Sequence, residues 1–138
     1  MQNIKRFYDK PYMTIGIIVV NIIVFVLMSI SGSTLDAQYM AAHGAMYPEY
    51  IKDGQYWRLF TSMFMHFGLM HILNNMVVLG AVGQIVEKAM GHVKLLITFL
   101  VSGMCGSVLS YIVMLYNNDY AVSALSLIHI SEPTRLQL

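Results

Sequence analysis

His66, His71 and Asn75 are the residues of this chain whose types and spacing could do chemistry. They close a run from Tyr56 to Asn75 that also holds Trp57 and Arg58. On a helix, His71 and Asn75 are four apart and share one face, a turn from each other. Each can donate a hydrogen bond without carrying a formal charge. Two such donors converging from one helix could stabilise an oxyanion, the charge that develops on a carbonyl oxygen during acyl transfer. Two His and an Asn could equally be hydrogen-bonding glue between helices. A metal is poorly served. The spacing of His66 and His71 is not the four-residue helical spacing of the zinc protease motif, and no nearby Asp, Glu or Cys completes a ligand set. His43, in a loop, and His92, at a turn, read as surface residues.

The elements that must hold these groups follow from the charges. The 138 residues carry 8 Lys and Arg and 7 Asp and Glu, or 11 %, where a soluble domain carries roughly 25 %. None of them falls in 11–35, 59–86 or 95–118. Each of these windows exceeds the about 20 apolar residues that span a bilayer core. A soluble protein is excluded. So is nucleic-acid binding, which needs a basic face, and so is a disulfide scaffold, since Cys105 is the only cysteine.

The first span is expected at about 12–30, apolar on every side, with Asn21 alone asking for a partner helix. Lys5, Arg6 and Lys10 before it would also suit a secretory signal. The apolar run is longer than a signal core, however, and no small-x-small cleavage site follows. The second span is expected at about 68–90 and holds His71, Asn74, Asn75 and Gln84. The third is expected at about 93–116, where Ser102, Gly106 and Ser110 recur every four residues with Gly103 and Ser107 alongside. Such a stripe lets another backbone approach closely. Lys88 and Lys94 flank the turn between the last two spans, which with the basic N-terminus predicts a cytoplasmic N-terminus. The connection over 31–67 is long and rich in Tyr, Met and Trp. Loops of that length usually have structure of their own, and these residue types favour the headgroup level.

Trp57-Arg58, followed by His66-x4-His71-x3-Asn75 and by Gly83, Glu87 and Gly91, resembles the rhomboid intramembrane serine proteases. The resemblance covers about residues 12–124. It implies an all-α polytopic membrane protein, with residues 1–124 forming three transmembrane helices of a six-span rhomboid-type bundle. It also implies a membrane-dipping first loop organised by Trp57, Arg58 and His66. His71 and Asn75 would stand on the oxyanion side of the active site, and Glu87 would make a structural polar contact. The implied activity is hydrolysis of membrane-anchored protein substrates in the bilayer, here expected to be a bacterial inner membrane, with no metal or organic cofactor.

Rhomboids use a Ser–His dyad, with the nucleophile in a Gly-x-Ser-Gly motif on the fourth span and the base on the sixth. No Gly-x-Ser-Gly occurs in these 138 residues. From Leu125 to Leu138 the sequence resembles a translated sequencing adapter, so the gene is expected to be cut just before its nucleophile and the chain to be inactive. Ser123 lacks flanking glycines, and the neighbouring His129 and Ser131 belong to that tail. The alternatives are a catalytically inactive rhomboid relative that binds membrane proteins, and a three-span protein complete as written.

Overall fold

A computed structural model of the chain describes residues 10–117. The tail at 125–138 and Ser123 lie outside these residues, as do Lys5 and Arg6. Helix α1 (Tyr12–Ser31) leads into a connection built from α2 (Ala37–Ala42), α3 (Pro48–Lys52), α4 (Arg58–Thr61) and a 3-10 turn (Ser62–Phe64). Two long helices follow, α5 (Gly68–Met90) and α6 (His92–Tyr116). The architecture is all-α. Helices α1, α5 and α6 are long and apolar enough to cross a membrane, and the chain is an integral membrane protein.

Ile and Val dominate α1 although both are mediocre helix formers. In hydrocarbon every backbone N–H and C=O must be bonded within its own segment, and that demand overrides propensity. Only Thr14, Ile17 and Asn21 of α1 are buried, on one stripe turned towards α5 and α6. Ile15, Val19, Ile23 and Leu27 are exposed on the protein, as suits side chains that meet lipid.

Helices α5 and α6 are joined by one residue. Gly91 has φ 95 and donates its N–H to the Glu87 carbonyl at 2.8 Å. That left-handed backbone is costly for any residue with a Cβ. The connection from 32 to 67 is folded rather than slack. Asp36 accepts the N–H groups of Gln38 and Tyr39 as the N-cap of α2, and Pro48 starts α3. Met40, Ala45 and Met65 form a small core under Tyr39, Phe67 and Met28. The Tyr39 hydroxyl donates to the Met28 carbonyl at 2.8 Å, tying the connection to the end of α1.

Of the small residues of α6, one of the two stripes is the more deeply buried. Gly103 and Ser107 are buried, whereas Ser102 is exposed. What approaches them is the 3-10 turn of the connection, through Ser62 and Met63. A repeat of four fits both stripes, and only the neighbour selects between them.

Candidate active site

Along α5 the inward face runs through Gly68, His71, Ile72, Asn75, Met76, Leu79, Gly83, Val86 and Glu87, all buried or half-buried. Leu69, Leu73, Val77 and Ile85 point away, exposed. The inward face borders a cavity of about 220 Å³ between the three long helices. Asn21 of α1, Asn75 of α5, Thr98 and Ser102 of α6 and His66 of the connection bring polar groups to a wall otherwise made by Val, Leu, Met, Phe and Gly.

His66 lies two residues before α5, and its Nδ1 faces the Phe64 carbonyl at 3.3 Å. A carbonyl only accepts, so Nδ1 carries the proton. Nδ1 of His71 instead accepts the Phe67 backbone N–H at 3.2 Å. A backbone N–H only donates, so the His71 proton sits on Nε2. His71 thereby satisfies one of the N–H groups at the start of α5 that no helical carbonyl can reach, and Phe67 has no side chain to do it. The rings meet edge to face with centroids 5.1 Å apart. Burial, reinforced by the neighbouring His71, pushes His66 down to about 4. The ring is therefore neutral at physiological pH.

His66 and Asn75 are thus brought to one wall. His71 stands beside His66 and one turn from Asn75, but it does not line the cavity. Trp57, Arg58 and Glu87 lie elsewhere. The buried Arg58 guanidinium donates to the carbonyls of Ala41 and Ala45 and to the Gln55 side chain, and it rests over the Tyr50 and Trp57 rings at 4.5 and 4.8 Å. It gathers the connection around one cation.

Glu87 is fully buried three turns beyond Asn75. Its carboxylate accepts Met13 N–H at 2.7 Å, Thr14 N–H at 2.8 Å, the Thr14 hydroxyl at 2.6 Å and the His92 ring N–H. It caps the positive end of α1 from another helix. Gly83, one turn away, leaves room for Thr14, whose methyl would stand 2.9 Å from an added Cβ.

Two readings are corrected by this geometry. His92 is not a surface residue: with only Gly91 between the helices its ring folds onto Glu87, 18 % exposed. Asn21 does not reach a partner helix. Its Nδ2 donates to the Ile17 carbonyl of its own helix at 2.8 Å, and the residue stands on the cavity wall. Asn21 is thus a further candidate site residue, and its signal is an amide midway along an otherwise apolar helix.

The family model described as the rhomboid domain matches residues 53–128, more than half of the chain. The chain belongs to the rhomboid family. Rhomboid protease GluP of Bacillus subtilis (strain 168) is 32 % identical over 116 residues, which cover 84 % of this chain and 23 % of that protein. Rhomboid protease GlpG of Pectobacterium atrosepticum is 38 % identical over 92 residues, 67 % of this chain and 32 % of that one. RHOMBOID-like protein 7 of Arabidopsis thaliana is 38 % identical over 84 residues, 61 % and 26 %. This rhomboid chain therefore spans about a quarter to a third of the length of these relatives. No solved structure matches it.

Proposed function

We propose that the chain supplies the transition-state side of a rhomboid-type intramembrane serine endopeptidase acting on membrane-anchored proteins. The observation that carries this reading is the pair of neutral N–H donors, His71 Nε2 and the Asn75 amide, one turn apart beside a cavity among three spans. When a serine oxygen adds to a scissile carbonyl, the carbonyl oxygen takes the negative charge. Donors fixed in advance within a medium of low dielectric lower that barrier most. In this reading His71 and Asn75 are the catalytic residues of the chain. Trp57, Arg58, His66 and Glu87 are structural. Arg58 fixes the connection and Glu87 fixes α1.

The nucleophile and general base lie outside this sequence, which has no Gly-x-Ser-Gly. A donor pair without them has no covalent route, so the 138 residues alone are inactive in this reading. The proposed setting is a bacterial inner membrane with a cytoplasmic N-terminus. The proposed partners are transmembrane protein substrates and the bilayer itself.

The first test is the gene beyond codon 124. A Gly-x-Ser-Gly there, with a later intramembrane His, is the expected finding. Its absence would convert the reading to an inactive, substrate-binding relative. The second test is Asn75→Ala in a full-length protein, where turnover should fall far more than folding stability does. Equal losses would make Asn75 packing glue.

A further inference from the structure

Three consecutive residues of the connection meet three consecutive turns of α6. The buried Ser62 hydroxyl lies 3.3 Å from the buried Ser107 hydroxyl. The Met63 side chain fills the space over Gly103, its Cγ 3.3 Å from where a Cβ would stand. The Phe64 ring meets Phe99 with centroids 6.0 Å apart. The order is antiparallel, with 62, 63 and 64 set on 107, 103 and 99. Ser62 also donates to the Leu59 carbonyl at 3.2 Å, which uses its one proton, so Ser107 is the donor in the hydroxyl pair. Any side chain at Gly103 would displace Met63, and a longer one at Ser107 would displace Ser62.

The turn held in this way is the one that delivers His66, two residues later, to the cavity. Met63 and His66 on one side, and Phe99, Ser102 and Gly103 on the other, line the same cavity. We propose that Ser107 and Gly103 are positioning residues, which lock residues 62–64 onto α6 so that this connection and α6 form one rigid wall of the site. Ligand entry then proceeds without this wall parting. The lock stands on the contacts just given. Only its catalytic consequence rests on the proposed function.

The test uses the full chain in lipid vesicles, with Cys105→Ala removing the native thiol. Ser62→Cys paired with Ser107→Cys should cross-link readily with a mild oxidant, whereas Ser62→Cys paired with Gly103→Cys should not. Equal yields would overturn the register. A lone Ser62→Cys should be slow to react with a membrane-permeant maleimide. Adding Ser107→Leu should speed the labelling about tenfold or more, because a displaced close-packed contact lowers the cost of local opening. Gly106→Leu, on the neighbouring stripe, should leave it unchanged. Protection that survives Ser107→Leu would overturn the lock. In a full-length active enzyme, the 62–107 cross-link should leave kcat and KM within about twofold of the reduced form. Inactivation reversed by reductant would show that the wall must part. An enzyme inactive before and after cross-linking would count against the proposed function alone, and the labelling and cross-link yields would still decide the lock.

Discussion

The two ends of α5 handle buried polarity in opposite ways. At Glu87 four donors from two other helices converge on one carboxylate. At His71 and Asn75 the groups are half-buried, neutral and set beside a cavity. A polar group whose bonds are all taken within the protein holds the protein together. A polar group on the wall of a cavity, as Asn75 is, can meet something that enters it.

Glu87→Ala breaks this comparison most severely, since it strands two backbone N–H groups, a hydroxyl and a ring N–H in a buried place. We expect a loss of about 3–5 kcal/mol, measured by thermal unfolding in detergent, with Glu87→Gln falling in between because it retains one acceptor. Asn75→Ala should show the inverse pattern in a full-length enzyme. There kcat should drop by about 10²–10³-fold while the unfolding temperature stays nearly constant. Comparable stability losses at the two positions would erase the distinction.

The third prediction concerns pH. His66 is pushed down to about 4 in the fold, against about 6.5 in an unfolded chain. The unfolded state therefore binds more protons between those values, and stability rises with pH across that window. Stability should be complete above about pH 6.5 and fall by up to about 3 kcal/mol on acidification to pH 4. Unfolding temperatures of wild type and His66→Asn over this range should diverge, and parallel curves would contradict the burial of that ring. The smallest effect is expected at the exposed pair Lys52 and Glu49, 3.5 Å apart. Lys52→Ala should cost below about 0.5 kcal/mol, which sets the floor against which the other changes are judged.

The three long helices were legible because lipid leaves a coarse signature, long windows without charge. The candidate donors were legible because a polar residue within such a window is rare and costly. Side-chain partners were not legible. His92 looked like a turn residue because nothing in the sequence reveals that the turn is a single glycine. On α6, Ser102, Gly106 and Ser110 repeat as regularly as Gly103 and Ser107, so spacing does not report which stripe is buried. For Asn21, spacing cannot report that the amide bonds to its own helix or which wall the residue occupies.

The bonds of Glu87 also bear on how the molecule is put together. Its acceptors are filled by residues 73 and 74 positions earlier and by one 5 positions later. A ribosome finishes α1 well before it reaches Glu87, and starts α6 directly after it. The leading N–H groups of the first helix therefore depend on an acceptor that is made only with the second helix. Residue 92 then closes the same junction as the third begins. One carboxylate thus joins the start of the first helix to the junction of the other two.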